Sequence, residues 1–327
     1  MRFLWMVIGA LVAGWAADSA AGVGMRTLAY ADPAHGGVGR LVLWYPATAP
    51  EHPVRRGPFT LTVADGAPLM DGRHPLVVVS HGSGGSALSH ADTAMDLARR
   101  GYVVAAVHHT GNTFDDESDT GTERMWRNRP AQFSAALDAV LADPEVGARI
   151  DTERIGALGM SAGGYTVLVA SGAVADLAHI TAYCAAHGDD PSFCRGGGPA
   201  WTGTIRAADR RLRATVALAP VAAMFGDGAF ADVTVPIRLY RAELDEAVGP
   251  AQLEGVRDRL SVAPEYVVVP GAGHYAFLMP FPPFVADEVG PPARDPAGFD
   301  RAAFHIGLNA EIVAFFDRRL AFDGQGR

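Results

Sequence analysis

Arg154-Ile155-Gly156-Ala157-Leu158-Gly159-Met160-Ser161-Ala162-Gly163-Gly164-Tyr165-Thr166-Val167-Leu168-Val169-Ala170-Ser171 is the stretch that decides how this chain folds. A short apolar run, residues 154–159, meets a helix-forming run, residues 162–171, at the pentapeptide Gly159-Met160-Ser161-Ala162-Gly163. A strand that turns directly into a helix around such a pentapeptide forces its serine into a strained backbone conformation and lifts the hydroxyl above the strand end. Gly159 and Gly163 are then required, because a side chain at either position would strike the adjoining strand or helix. The helix N-terminus at Ala162 also favours negative charge developing beside it.

The same alternation continues on both sides. Residues 40–45 read as an early strand that can pair with residues 25–30, and residues 76–80 as a continuous apolar strand followed by a Gly-rich turn and a helix over 87–100. Further strands are predicted at 102–107, 214–219, 236–240 and 266–269, with helices at 130–141, 252–260 and, at the C-terminus, 302–320; from Gly324 onward the chain should fray. Continuous apolar strands alternating with helices predict an α/β fold: a mostly parallel central sheet covered by helices on both faces. Two stretches break the rhythm, residues 110–128 and about 176–212. Both follow strand ends or the helix after Ser161, where such folds carry binding loops, so the second is read as a cap insertion within one domain.

With 27 basic against 36 acidic residues the net charge is −9, which gives a nucleic acid no electrostatic foothold. Every basic residue is Arg. The absence of Lys excludes a Walker-type phosphate loop, a kinase lysine, a pyridoxal-phosphate Schiff base and a lysine aldolase, each of which needs a lysine amine at a fixed place. The N-terminus carries Arg2, an uncharged run over 3–17 and then Ser19-Ala20-Ala21. That run is short of the roughly 20 residues needed to span a bilayer. It predicts a signal peptide over 1–21, cleaved after Ala21, and a periplasmic or secreted domain over 22–327 with no stable membrane insertion. Cys184 and Cys194 are the two cysteines, and so close a pair in an exported protein predicts a disulfide. Zinc, with His179 and His187 nearby, is the rival, but the Cys spacing is too wide for one knuckle.

A nucleophilic serine needs a base and an acid to orient that base, in the chain order Ser, acid, His for this kind of turn. After the strand at 236–240 come Glu243, Asp245 and Glu246, and after the strand at 266–269 comes Gly271-Ala272-Gly273-His274. His274 is the candidate base and Asp245 the candidate acid, with Asp227 and Glu243 as weaker choices. An oxyanion would be held by the backbone N–H groups of Ala162 and Ser83, the latter in His81-Gly82-Ser83-Gly84-Gly85. His81 and Gly82 support that loop. Met160, Tyr275 and Phe277 are candidate pocket residues, and Tyr275, Phe277, Phe281 and Phe284 read equally as core or as the wall of an acyl pocket. His108 and His109 precede Asp115 and Asp116, which read as a solvated loop, so no metal and no cofactor are implied.

Ser80-His81-Gly82, Gly159-Met160-Ser161-Ala162-Gly163-Gly164, Ala242-x-x-Asp245-x-x-Val248 and Gly271-x-Gly273-His274-Tyr275-Ala276-Phe277 together resemble the α/β-hydrolase superfamily. Its dienelactone-hydrolase-like and platelet-activating-factor-acetylhydrolase-like esterases are the most similar branches. The resemblance covers about residues 25–320 and implies a serine esterase acting on small-molecule esters of short to medium acyl chain. Dienelactone hydrolases carry Cys as nucleophile where this chain has Ser161, which favours ordinary esters over lactones. In the acetylhydrolase branch the acid follows the preceding strand, where this chain has Ala219-Pro220; that leaves Asp245. Lactone or phospholipid acetyl substrates are the alternatives within the reading. From other classes, a non-catalytic module on the same fold would have to keep all of Ser161, Asp245 and His274 for no reason. A dinucleotide-binding oxidoreductase could use Gly82-x-Gly84-x-x-Ala87, but the next strand ends in Val107-His108-His109 without the carboxylate that would hold a ribose. Oligomeric state is not legible.

Overall fold

The structure is a computed structural model that describes residues 22–321. The predicted signal peptide and the predicted fraying from Gly324 lie outside the described residues. The chain opens with strands β1 (Gly22–Ala31), β2 (Val38–Ala47), β3 (His52–Arg56), β4 (Phe59–Asp65) and β5 (His74–Ser80). There follow α1 (Ala91–Arg99), β6 (Val103–His108), α2 (Glu123–Ala142), β7 (Ile150–Met160) and α3 (Ala162–Ala170). Two short paired strands, β8 (Ala175–Asp176) and β9 (Thr204–Ile205), enclose α4 (His179–Ala186). The last part contains β10 (Leu212–Leu218), β11 (Ile237–Ala242), α5 (Pro250–Arg259), β12 (Glu265–Val269), α6 (Ala286–Val289) and α7 (Arg301–Arg319).

Ten strands form one sheet in the order β12-β11-β10-β7-β5-β6-β2-β1-β4-β3. From β12 to β6 every neighbouring pair is parallel. β2 joins antiparallel to β6, and β1 pairs with β2, as expected of residues 25–30 and 40–45, in the antiparallel sense. The period-2 alternation of a strand divides the core between two faces. In β5, Leu76 and Val78 join Phe133 and Leu137 of α2 and Tyr165 and Leu168 of α3. Val77 and Val79 point the other way, to Ala94 and Leu97 of α1 and Ile312 and Phe316 of α7. Each such fully buried aliphatic side chain contributes roughly 1.5–3 kcal/mol. The result is the expected α/β sandwich, and no helix among the described residues is long and apolar enough to cross a membrane.

Three departures from the sequence reading have a clear physical reason. Helix α2 starts at Glu123 and runs through Pro130 instead of starting there. Pro130 has no N–H for the Trp126 carbonyl, and the Tyr165 hydroxyl donates to that carbonyl at 3.0 Å in its place. Helix α1 starts at Ala91, because residues 86–90 form a turn in which the Ser86 N–H bonds Ser89 Oγ at 3.0 Å and the Leu88 N–H bonds Ser86 Oγ at 3.2 Å. The β3–β4 hairpin was not anticipated. It turns through Gly57, whose φ of 56° suits glycine, and β4 alternates buried Phe59, Leu61 and Val63 with exposed Thr60 and Thr62.

Candidate active site

Ser161 stands between β7 and α3 with φ 56° and ψ −118°, a conformation that strains any residue with a side chain. Its surroundings force the geometry. The Ser161 N–H donates to the Leu218 carbonyl at 2.9 Å, and its carbonyl accepts from Tyr165 at 3.0 Å and Val221 at 3.1 Å. A Cβ on Gly159 would collide with the Gly163 carbonyl, and one on Gly163 with the Ser80 and His81 carbonyls. Both glycines therefore allow backbones to touch at the turn.

The parallel strands bring the other candidates to the same rim. The ladder continues beyond the strand ends: Ala219 N–H to the Tyr240 carbonyl at 2.9 Å, Glu243 N–H to Val269 at 3.1 Å, and Leu244 N–H to Ala272 at 2.8 Å. Asp245 and His274 lie at the end of this run and meet, with His274 Nδ1 2.9 Å from Asp245 Oδ2. The two side chains are only 3% and 4% exposed, respectively. Asp245 Oδ1 accepts from the N–H groups of Ala247 at 2.9 Å and Val248 at 2.8 Å, which locks the carboxylate. The Glu246 carboxylate accepts from the His274 N–H at 3.1 Å and anchors the backbone. No hydrogen bond joins Ser161 Oγ to the His274 ring among the described residues; such contacts commonly tighten only when substrate is bound. Neither weaker acid bonds His274. Asp227 is 98% exposed and pairs with Arg259, and Glu243 accepts from the Gly271 N–H.

The loop after β5 runs past the serine: a Cβ on Gly82 would stand 3.5 Å from Ser161 Cβ. The Ser83 and Ala162 N–H groups have no acceptor among the described residues. His81 lies beneath the loop. Its Nδ1 bonds the Gly82 carbonyl at 2.6 Å and its Nε2 accepts from the His109 N–H at 3.2 Å, so the ring is neutral with its proton on Nδ1. Burial, reinforced by the nearby Arg129 cation, holds the His81 pKa well below that of an ordinary imidazole.

Several expectations need correction. Met160 and Phe277 are not pocket walls. Both are buried in the layer beneath α1 and α7, Met160 because strand alternation turns it under Gly82 and Phe277 because it packs edge-on against Tyr240 and Phe304. Tyr275, half-buried and edge-on to His274 at 5.3 Å, does border the site. Phe281 packs against Phe59, and Phe284 is exposed. The Gly82-x-Gly84 segment does not lead into a helix N-terminus, since α1 begins only at Ala91, so it offers no cradle for a pyrophosphate. Cys184 and Cys194 are bonded to each other. The loop they close carries Asp190, which accepts from the Gly249 N–H at 3.1 Å and from Gln252 Nε2 at 2.9 and 3.0 Å, tying this loop to the segment after Asp245.

Sequence reasoning missed Arg129, Asn112 and the Asp190–Gln252 clamp. A signal for Arg129 existed: it shares the buried face of α2 with Trp126 and Phe133, three residues before it and four after it.

Residues 89–186 match the model of the prolyl oligopeptidase family, a span that includes the Ser161 turn but less than half of the chain. A 68-residue segment is 41% identical to Lipase 1 of Moraxella sp. (strain TA144), covering 21% of this chain and 18% of that protein. The chain thus matches less than a fifth of that relative's length. The ferulic acid esterase from Streptomyces cinnamoneus superposes on 97% of this chain and 94% of its own, with a TM-score of 0.65 and 23% identity. The architecture here is the α/β-hydrolase fold.

Proposed function

We propose that this chain is an exported serine hydrolase that cleaves carboxylic esters of short to medium acyl chain through an acyl-enzyme on Ser161. The observation that carries the reading is the strained Ser161 on the same sheet rim as a buried Asp245–His274 pair. Ser161 Oγ attacks the ester carbonyl while His274 Nε2 takes its proton. Asp245 holds the ring with Nδ1–H toward the carboxylate and steadies the imidazolium. The tetrahedral oxyanion sits on the Ser83 and Ala162 N–H groups, each worth about 10²–10³ in turnover. On collapse His274 passes its proton to the leaving alcohol, and a water repeats the sequence to free the acid and restore Ser161.

The disulfide supports an oxidising compartment, which agrees with export directed by residues 1–21. One catalytic domain over 22–327 with a cap at about 176–212 fits the continuous sheet. No cofactor takes part in this scheme, and the partner is a small-molecule ester. The match to the prolyl oligopeptidase family favours amide hydrolysis as the second reading. A p-nitrophenyl ester series of increasing acyl length, run beside peptide p-nitroanilides, a lactone and a phospholipid, separates these readings. Ester turnover that disappears in Ser161→Ala supports the proposal. Turnover of anilides alone would replace it with a peptidase, and undiminished ester turnover in Ser161→Ala would remove Ser161 as nucleophile.

A further inference from the structure

Arg129 is 1% exposed and, among the described residues, makes no ion pair. Its guanidinium instead donates to neutral acceptors: the His81 carbonyl, Asn112 Oδ1, Thr166 Oγ1 at 3.3 Å and Ser80 Oγ at 3.4 Å. A buried cation without a counter-charge is costly, and its burial pulls the Arg129 pKa below the ordinary value. The neighbours do not compensate. His109 bonds Ser80 Oγ and Gln132 Oε1, and burial and the Arg129 cation hold its pKa well below the usual imidazole range. Asp32 lies beyond Gln132 and pairs with His35.

These contacts point in one direction. His81 is two residues before Ser83, and Asn112, held by Arg129, donates from Nδ2 to Ser83 Oγ at 2.9 Å. Thr166, on the other side of the guanidinium, donates to the Ala162 carbonyl at 2.9 Å. Arg129 thus braces both segments whose N–H groups are proposed to hold the oxyanion. Resting on that proposed function, we propose that Arg129 is a positioning residue for the oxyanion site. It fixes the Ser83 and Ala162 segments, and its charge is balanced only when the tetrahedral oxyanion forms. A preorganised cation in a low-dielectric surrounding then stabilises the transition state more than the resting state.

Asn112→Asp in the full-length protein tests this, because it gives Arg129 a carboxylate in the resting state at unchanged side-chain shape, with the Ser83 and Thr120 hydroxyls turned to donate where Asn112 Nδ2 donated to them. With p-nitrophenyl butyrate the expected result is a kcat lowered about tenfold or more, KM within about twofold, an unchanged or higher melting temperature, and boronic acid inhibition weakened by the same factor as kcat. Arg129→Met should lower kcat further, and Arg129→Lys should recover part of the loss; if Arg129→Met does not fold, Asn112→Asp alone decides. A kcat within about twofold of wild type in a folded Asn112→Asp protein overturns the proposal. So does a lower kcat that follows a lower melting temperature while boronate binding is unchanged. Absence of ester turnover or boronate inhibition in the wild type would instead overturn the proposed function, so the two failures are distinct.

Discussion

Asp245 Oδ2 receives the Nδ1–H of His274 at 2.9 Å, while its other oxygen is held by the Ala247 and Val248 N–H groups. The carboxylate therefore orients the ring, and leaves Nε2 as the nitrogen that the proposed mechanism uses at Ser161. Asp245→Asn keeps the shape but can turn its amide N–H toward the ring and favour the wrong tautomer. Turnover should fall by about 10³–10⁴ with the fold intact. Steady-state kinetics on Asp245→Asn and Asp227→Asn check this. Loss of turnover in the second variant alone would move the acid to Asp227.

Gly163→Ala should abolish the fold of the turn. The new methyl would stand 2.7 Å from the His81 carbonyl and closer still to that of Ser80, at the end of β5 and the residue that follows it. Overpacking against backbone with no flexible neighbour should destabilise by about 4 kcal/mol or more. Thermal melting, or the yield of folded protein, reads the effect; a variant that melts with the wild type contradicts it.

Stability should fall on mild acidification. Burial holds His81 and His109 well below the usual imidazole value of 6.5, and brings His90 to about 4. Below pH 6.5 the unfolded chain takes up protons that the folded chain refuses. The stability is thus fully present above about 6.5 and is lost as the pH falls toward the folded values, at about 1.4 kcal/mol per pH unit for each ring. Urea unfolding at pH 7.5 and 5.5 measures the slope. His109→Gln should make it shallower, and an identical slope in that variant would contradict the assignment.

The disulfide should stabilise the domain and keep the loop over residues 184–194 seated. Closing a loop of this separation, 10 residues, is worth roughly 2.7 kcal/mol in the chain-entropy model. Within the loop, burial alone would raise the Asp190 pKa, but hydrogen bonds from Gln252, Ser192 and Tyr183 outweigh it and keep the carboxylate ionised. Cys184→Ser with Cys194→Ser should lower stability by about that amount, and a thiol titration of the unreduced, unfolded wild type should find no free thiol. Two free thiols would contradict the bond.

The elements legible in the sequence are those governed by local rules. The strand–turn–helix at Ser161 follows from Gly159 and Gly163, and the parallel strands from apolar runs such as residues 76–80. Asp245 and His274 were legible because parallel strands deliver the segments after them to one rim. What escaped depends on contacts between distant segments. Pro130 argued for a helix start, and only the Tyr165 hydroxyl, reaching across from α3, allows α2 to continue through it. Phe277 and Met160 are apolar residues beside catalytic candidates, yet packing, not proximity in sequence, sends them into the core. The role of Arg129 depends on acceptors at Ser80, His81, Asn112 and Thr166, which lie far from it in the chain and meet it only in the fold.

Mass spectrometry of the protein after treatment with a fluorophosphonate tests the central claim most directly. Wild type should lose ester turnover as one phosphonyl group is added, and the modified peptide should be the one that contains Ser161; His274→Ala should slow the labelling greatly. Rapid labelling at a different residue, or full turnover in protein labelled stoichiometrically at Ser161, would contradict the account.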